Sequence, residues 1–266
     1  MSKWIISLLL FLCTPYTIEA WLSEPPIEAQ EQVAPYLMPE DHPIKPILDM
    51  IFGSSRITTD VNSMKQAGFY DTQLRKRGIV FARHVDTPGY VYKIVCDYSG
   101  HSWNKYEDTC RKQDEYIEFT GRIRKRNQIT ELIDFYQIDN FITPKKWLYP
   151  IPTEFEPFQN HTMIKKFYLL VAEDIDIIES PNCVYLWREL PDENLLNSYF
   201  LIIRDARLCD IGPPNQSFTK SGQLAFIDTK IWPDENFNIN APTGFLNNEM
   251  SAYWMLLVES NAENVN

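Results

Sequence analysis

The most informative segment of this sequence, residues 209–230, reads CDIGPPNQSFTKSGQLAFIDTK. Two of its polar residues, Asp210 and Asn215, are five positions apart, and another, Asp228, follows Asn215 by thirteen. Gly222 precedes an apolar run that predicts a short buried strand ending just before Asp228. The pattern therefore places a carboxylate and an amide in one loop and a second carboxylate directly after a strand.

A second informative feature is the hairpin predicted over residues 78–95. Two runs rich in β-branched and aromatic residues are joined by Val-Asp-Thr-Pro-Gly, which is a turn-forming sequence. In the second run, Val91, Lys93 and Val95 share one face because side chains alternate along a strand. Lys93 is therefore a lone cation on a face that is otherwise apolar.

Together, these features resemble the protein-kinase-like superfamily. Protein kinases carry a catalytic loop with the pattern Asp-x-x-x-x-Asn, a metal-binding aspartate after the next strand, and a lysine on a strand of the other lobe. The resemblance extends over about residues 78–228, with 168–175 in the place of the hinge between the lobes. The matching residues, in chain order, are Lys93, Asp210, Asn215, Gly222 and Asp228.

The resemblance implies a role for each polar residue, because phosphate transfer depends mainly on positioning and on charge neutralisation. Asp210 would be the catalytic residue that orients an acceptor hydroxyl. Asn215 and Asp228 would hold Mg²⁺ through oxygen ligands. Lys93 would neutralise the α- and β-phosphates of ATP.

A glutamate partner for Lys93 is also implied, on a helix predicted over residues 113–135. Apolar residues recur in that segment at roughly helical spacing. Three of its glutamates are candidates for the partner, and Glu118 is favoured over Glu115 and Glu131.

Several kinase signatures are missing from the sequence. Leu208-Cys209 stand where kinases have His-Arg, and Thr229-Lys230 follow the aspartate where kinases have Phe-Gly. No glycine-rich loop precedes the hairpin, and only 38 residues follow Asp228. The resemblance therefore implies an α+β chain with a two-lobed protein-kinase-like fold and a truncated helical C-lobe.

This mixture of features leaves three functions open. The first is an exported kinase-like protein that binds Mg²⁺ and ATP and, where catalysis is retained, transfers phosphate to a hydroxyl of an unknown protein or small molecule. The alternative is a pseudokinase, a catalytically inactive interaction module stabilised by disulfides, and the missing signatures favour it. The third is a secreted α+β domain whose motif match is accidental.

The N-terminus predicts a cleaved signal peptide over residues 1–20. One lysine precedes an almost uninterrupted apolar run of nine residues, which is too short to span a bilayer, and cleavage is expected after Ala20. Residues 21–60 are rich in proline and are predicted to form an extended leader with one short helix. A β-rich N-lobe-like region at 61–170 and a reduced C-lobe at 171–266 complete the expected organisation.

Composition limits the expected partners and compartment. The net charge is −11 at pH 7, and a chain this acidic is repelled by nucleic acid and by anionic lipid. No later segment is apolar and long enough to span a bilayer. We therefore expect a periplasmic or secreted protein that binds a nucleotide but neither nucleic acid nor a membrane.

The cysteines and histidines give weaker indications. Four cysteines remain after the predicted cleavage, which permits two disulfides in an exported chain, with three possible connectivities. The preferred pairing closes local loops and joins Cys96 to Cys110 and Cys183 to Cys209. The four histidines are scattered, and most are expected at the surface.

Overall fold

The computed structural model describes residues 25, 27–75, 78–97, 115–152, 165–179 and 181–261. Within this part the chain is a mixed α+β protein, as the sequence predicted. Its α-helices are α1 (Ile27–Val33), α2 (Lys45–Phe52), α3 (Val61–Gln66), α4 (Glu115–Phe135), α5 (Asn182–Glu189), α6 (Glu193–Ala206) and α7 (Asn248–Ser260). Its strands are β1 (Phe69–Leu74), β2 (Ile79–His84), β3 (Tyr90–Val95), β4 (Phe141–Ile142), β5 (Lys146–Pro150), β6 (Tyr168–Glu173), β7 (Gln216–Phe218) and β8 (Leu224–Phe226).

The strands form two sheets. A five-stranded sheet has the order β1-β2-β3-β6-β5, and a three-stranded sheet has the order β4-β8-β7. β2 and β3 pair antiparallel, with Phe81 opposite Lys93, which confirms the hairpin predicted over residues 78–95. In the smaller sheet, β8 pairs antiparallel with β7 and parallel with β4.

The chain divides into two compact units whose boundaries differ from the predicted ones. The sequence grouped residues 61–170 together, but most of α4 belongs to the second unit. The reason is that Ile129 and Ile133 of α4 are buried in the core of that unit. The first unit contains the described residues within 1–88, 92–116 and 148–169, and the second contains those within 89–91, 117–147 and 170–266.

The core of the first unit is rich in aromatic rings. The ring centroids of Phe52 and Tyr149 lie 5.5 Å apart, and those of Phe69 and Tyr92 also lie 5.5 Å apart. None of these four side chains is more than 2% exposed. Helix α2 and the strands of this unit therefore bury their apolar faces together, which stabilises the unit by the hydrophobic effect.

The core of the second unit is built around Trp187 of α5, Tyr199 of α6 and Trp254 of α7. The ring of Tyr199 lies 5.0 Å from that of Trp187 and 5.8 Å from that of Trp254, measured between centroids. The indole nitrogens donate to the carbonyl oxygens of Gln216 and Ile239 over 2.8 and 2.9 Å. Both buried N–H groups thus keep a hydrogen bond, as burial of a tryptophan requires.

Capping side chains and one left-handed residue set the helix ends in the second unit. At the start of α6, the carboxylate of Asp192 accepts the backbone N–H of Leu195 over 2.8 Å. Asn247 caps α7 in the same way. Helix α6 ends where Arg207 adopts φ 46° and ψ 57°, and this fixes the point at which the chain enters the loop of Asp210.

Residues 21–60, which were expected to form an extended leader with one short helix, contain both α1 and α2. Two residues of α2, Leu48 and Phe52, are at most 1% exposed and belong to the core. Pro46, one of the prolines that suggested a leader, lies in the first turn of α2. A proline is compatible with a helix there because the first N–H groups of a helix have no partner within it.

His84, at the end of β2, is only 1% exposed, although most histidines were expected at the surface. Its Nδ1 lies 3.1 Å from the backbone nitrogen of Asp86, and its Nε2 lies 2.7 Å from the carbonyl oxygen of Ala67. Because the N–H of Asp86 can only donate, Nδ1 accepts, and Nε2 carries the hydrogen that is donated to Ala67. Gly68 adopts a φ of +97°, and a Cβ atom on it would lie 2.8 Å from Nε2 of His84.

The predicted signal peptide at residues 1–20 and Cys110 lie outside the described residues. Cys183 and Cys209 are present as thiols, and Sγ of Cys183 donates to the carbonyl oxygen of Pro213 over 3.1 Å. A disulfide between these two cysteines is not formed in this structure, and the pairing stays a prediction. Of the helices in the described part, not one has the length and apolarity needed to cross a membrane.

Candidate functional site

The loop after α6 positions the first predicted site residue, Asp210. Arg207 turns the chain out of the helix, and Leu208, which is 5% exposed, anchors the loop in the core of the second unit. Asp210 itself is exposed. Because Leu208 is packed in the core, the backbone near Asp210 is held in place while the carboxylate of Asp210 faces solvent.

The loop from Asp210 to Gln216 is held by its own hydrogen bonds. The side-chain nitrogens of Asn215 and Gln216 both donate to the carbonyl oxygen of Asp210, over 3.1 and 3.3 Å. The side-chain oxygen of Gln216, a residue that is 2% exposed, accepts the N–H of Gly212 over 2.7 Å. The bond to Asp210 fixes the amide plane of Asn215, and the direction of its oxygen is fixed with it.

Asp228 lies beside Asn215. The carbonyl oxygen of Asn215 accepts the backbone N–H of Ile227 over 2.8 Å and that of Asp228 over 3.4 Å. The antiparallel pairing of β7 with β8 holds the two segments in this register. Hydrogen bonds to main-chain atoms therefore bring the segments of Asp210, Asn215 and Asp228 together, and we call these three residues the loop cluster.

A cation from α4 also reaches the loop cluster. Nη2 of Arg122 donates to Oε1 of Glu118 over 2.6 Å, and Nη1 of Arg122 forms an ion pair with Oδ1 of Asp228. The side chain of Arg122 is 6% exposed, whereas those of Glu118 and Asp228 are 24% and 25% exposed. One buried guanidinium thus bridges two carboxylates that water still reaches.

Lys146 and Thr229 fix the backbone on either side of Asp228. Nζ of Lys146 donates to the carbonyl oxygen of Ile227 and to Oγ1 of Thr229, both over 2.8 Å. Oγ1 of Thr229 in turn donates to the carbonyl oxygen of Arg122 over 2.7 Å. Both Lys146 and Thr229 are buried, so the backbone on either side of Asp228 is held against α4 by buried hydrogen bonds.

The three glutamates considered as partners of Lys93 have different surroundings. Glu115 is buried in the first unit, where its Oε1 accepts the N–H groups of Phe167 and Tyr168 over 2.6 and 2.9 Å. Burial raises the pKa of the Glu115 carboxyl. Glu131 is exposed. Glu118 is the one of the three that shares a cation with the loop cluster.

Lys93, the remaining predicted site residue, lies on β3 in the first unit. It is half-buried, and its neighbours along the strand, Tyr92 and Ile94, are fully buried. The predicted alternation of the strand is thus observed at these three positions. Lys93 belongs to the first unit, whereas Glu118 and the loop cluster belong to the second.

Sequence reasoning missed two residues of the site, Arg122 and Lys146. The only local signal for Arg122 was its spacing of four from Glu118, which is the spacing of an ion pair on one face of a helix. Lys146 follows another lysine, Lys145, and nothing in the sequence marks one of the two as buried. Their partners lie far along the chain, where a local pattern gives no information.

The loop cluster contains residue types that ligate Mg²⁺, namely carboxylates and an amide. Among the residues that the structure describes, no three His, Cys, Asp or Glu side chains are grouped to hold a metal ion. Asn215 and Asp228 supply one amide and one carboxylate, and Mg²⁺ characteristically takes one or two carboxylates together with water and phosphate oxygens. The guanidinium of Arg122 already provides positive charge at Asp228, as a metal ion there would.

Similarity to known proteins adds no family to this description. No protein-family model matches the chain, and a comparison with curated proteins found no similar sequence.

Proposed function

We propose that this chain is an exported, divergent kinase-like protein that binds Mg²⁺ and ATP through the loop cluster and Lys93. The observation that carries the proposal is the pair of hydrogen bonds from Ile227 and Asp228 to the carbonyl oxygen of Asn215. Through these bonds two residue types that ligate Mg²⁺ in kinases become neighbours. Asp210, at the other end of the same loop, adds an exposed carboxylate.

The order of elements along the chain supports the same proposal. In protein kinases the phosphate-binding lysine is on the third strand, and its glutamate partner is on the helix that follows. Here Lys93 is on β3, and α4, which carries Glu118, is the next described element. The catalytic-loop residues of a kinase come later, after a long helix, as the loop cluster comes after α6.

Each residue would have the role that its chemistry allows. Asn215 and Asp228 would hold the metal ion, and Lys93 would neutralise phosphate charge. Bound Mg²⁺ would supply charge neutralisation at the β- and γ-phosphates. Asp210 would orient the hydroxyl of an acceptor, which is an unidentified protein or small molecule.

An inactive interaction module, a pseudokinase, is the second candidate, and the ion pair between Arg122 and Asp228 favours it. A guanidinium on the metal-binding carboxylate takes up the charge that Mg²⁺ would otherwise meet. The replacement of His-Arg by Leu208-Cys209 and the Thr229-Lys230 after Asp228 point in the same direction.

A thermal-shift titration of the mature chain with ATP and Mg²⁺ or Mn²⁺ tests the nucleotide site. A ligand at 100 times its Kd stabilises the folded state by about 2.7 kcal/mol, which raises the melting temperature measurably. We expect this shift to depend on the metal and to be lost in Asp228→Asn and in Lys93→Met. Lys65→Met, at an exposed position of α3, is the matched control and should keep the shift. The absence of any shift at millimolar ATP and metal would remove the nucleotide site.

Transfer of phosphate from radiolabelled ATP separates the two candidates. An active enzyme labels itself or an added acceptor, and Asp210→Asn abolishes the label while nucleotide binding persists. An inactive module transfers no phosphate, whether or not it binds nucleotide, and the wild type and Asp210→Asn then give the same result.

Export through a cleaved signal is the remaining part of the proposal. It rests on the apolar run of the first twenty residues. N-terminal sequencing of protein recovered outside the producing cytoplasm should begin at Trp21. Recovery of an intact Met1 in that fraction would contradict the cleavage.

A further inference from the structure

We infer that Arg122 is an internal cation that competes with a divalent metal ion for Asp228. In this inference, which rests on the proposed role of Asp228 as a metal ligand, the metal binds only when Arg122 leaves Asp228. Arg122 then retains Glu118 as its partner. The residue would thus set the metal affinity of the site.

The backbones of Arg122 and of the segment around Asp228 are tied together. Thr229, next to Asp228, donates to the backbone of Arg122 itself over 2.7 Å. Lys146 fixes the same segment through Ile227 and Thr229. The ion pair is therefore formed by two side chains whose backbones are already tied together, and it is not a chance meeting of flexible surface groups.

Charge makes Arg122 and a metal ion compete for Asp228. Arg122 is buried and Asp228 is only a quarter exposed, so the charges of this pair are poorly screened by water. A divalent cation at Asp228 would lie close to the guanidinium, and like charges repel strongly in such surroundings. Occupation of Asp228 by a metal ion and by Arg122 is therefore mutually exclusive or nearly so.

Arg122 has a second carboxylate partner, Glu118. Glu118 lies one turn earlier on α4 and accepts from Nη2 of Arg122 over 2.6 Å, while the pair with Asp228 uses Nη1. Release of Asp228 thus leaves the guanidinium with a carboxylate and avoids an unpaired buried charge, which would be strongly unfavourable. The arrangement has two states, and a metal ion selects one of them.

Competition of this kind lowers the apparent affinity for the metal. When only a fraction of the protein is competent to bind, the apparent Kd is the intrinsic Kd divided by that fraction. An ion pair whose charges are largely shielded from water corresponds to a factor of about ten in the equilibrium. Removal of the guanidinium should tighten metal binding by the same factor.

The experiment measures Mn²⁺ binding by electron paramagnetic resonance, with Mn²⁺ as the only added ligand and at constant ionic strength. Each protein is compared with a version that also carries Asp228→Asn. The Mn²⁺ binding that this change removes is assigned to the site at Asp228. We expect Arg122→Gln to lower the Kd of that component about tenfold. Arg124→Gln, a change of equal charge at an exposed position of the same helix, should leave it unchanged. An Arg122→Gln protein that is folded and binds Mn²⁺ no more tightly than the wild type overturns the inference.

A second measurement uses the wild-type chain, in case Arg122→Gln does not fold. In protein with ¹⁵N-labelled arginine, the Nε–Hε signal of Arg122 is followed by nuclear magnetic resonance while Mg²⁺ is added. We expect the signal to move on the same concentration scale as the binding that depends on Asp228. A signal that stays in place, or the absence of any binding that depends on Asp228, overturns the inference.

The two proposals fail in different ways. Tighter Mn²⁺ binding in Arg122→Gln, without any effect of ATP on either protein, supports the competition and removes the nucleotide site. A metal-dependent shift by ATP that Arg122→Gln leaves unchanged supports the nucleotide site and removes the competition.

Discussion

Each of the two units contains a buried arginine paired with an aspartate, but the two pairs are enclosed to different degrees. In the first unit, Arg56 and Asp97 have side chains that are 3% and 0% exposed. In the second unit, Arg122 is 6% exposed but Asp228 is 25% exposed. The arginines are thus alike, and the aspartates are not.

The carboxylate of Asp97 is saturated by protein donors. It accepts Nε and Nη2 of Arg56 over 3.0 and 2.7 Å, the hydroxyl of Thr58 over 2.8 Å and the backbone N–H of Lys166 over 2.9 Å. Nη2 of Arg56 also donates to the carbonyl oxygen of Lys166. Such a carboxylate ties three chain segments together and has no access to a ligand.

The difference lies in how far the carboxylate of each pair is enclosed by protein. Charge, residue type and burial of the arginine are the same in both pairs, so none of them discriminates. What differs is whether the carboxylate can exchange its partner for a molecule from solution. Asp97 is enclosed by protein donors, whereas a quarter of the Asp228 side chain is exposed to solvent.

The largest effect is expected from Asp97→Asn. This change leaves Arg56 buried without a counter-charge, and breaking a buried pair in this way destabilises a protein by about 3–5 kcal/mol. Urea-induced unfolding followed by circular dichroism measures the loss, and Asp86→Asn at an exposed turn position is the control. A loss below about 1 kcal/mol, the size typical of an exposed pair, would contradict the view of Asp97 as a structural residue.

A smaller effect is expected from Lys146→Met, which sharpens the comparison at the loop cluster. The change leaves two buried acceptors, on Ile227 and Thr229, without the ammonium group, and each unsatisfied buried group destabilises by about 1–3 kcal/mol. The unfolding midpoint in urea should fall accordingly. Lys145→Met, at the exposed neighbouring position, should leave the midpoint unchanged, and equal effects of the two substitutions would contradict the assignment.

The third prediction concerns alkaline pH in the first unit. Burial, together with the nearby Glu115 and Tyr116, raises the pKa of Tyr168 to about 12. In the unfolded chain a tyrosine ionises near 10, so this group keeps its full contribution to stability below pH 10 and loses it as the pH rises through 12. Tyr168→Phe should remove this loss.

The size of that effect follows from the linkage between pKa and stability. Between pH 8 and pH 11, which is one unit above the unfolded pKa, the wild type should lose about 1.4 kcal/mol more unfolding free energy than Tyr168→Phe. One pKa unit corresponds to that free energy. Urea unfolding at pH 8 and pH 11 measures it. The control is Tyr70→Phe, at an exposed position. A Tyr168→Phe protein that loses as much stability as the wild type between these pH values would disprove the assignment.

The smallest effect on stability is expected from Asp228→Asn. Arg122 keeps Glu118 as its partner, and Asp228 is partly exposed, so the loss should be about 1 kcal/mol or less. The same urea titration, with Asp97→Asn beside it, gives the ratio of the two losses. Equal losses at the two aspartates would abolish the distinction between a closed and an open pair.

The parts of the molecule that could be predicted from sequence are those fixed by local hydrogen bonds. Asp210, Asn215 and Asp228 form a group because a tight loop and a short β-hairpin connect them, and both have turn residues at recognisable positions. The hairpin of β2 and β3 was predicted for the same reason. The roles proposed for these residues, and for Lys93, remain predictions.

The parts that could not be predicted depend on distant partners. Arg122 and Lys146 are identified by what they meet around residues 227–229, and their own neighbours in the sequence do not indicate it. One short helix was predicted in residues 21–60 where the structure has two, α1 and α2, because prolines at a helix start resemble those of a leader. Burial of His84 likewise follows from the bend at Ala67 and Gly68, which no periodicity reveals.

The bend at Gly68 has a consequence for which sequences can adopt this fold. Any larger residue at position 68 must both adopt a left-handed backbone and displace an imidazole whose two nitrogens are engaged. A saturation library scored by cellular abundance should therefore tolerate almost nothing but glycine there. Substitutions at position 68 would be rejected for reasons of folding alone. In related chains this glycine would then be as invariant as a residue that contacts substrate.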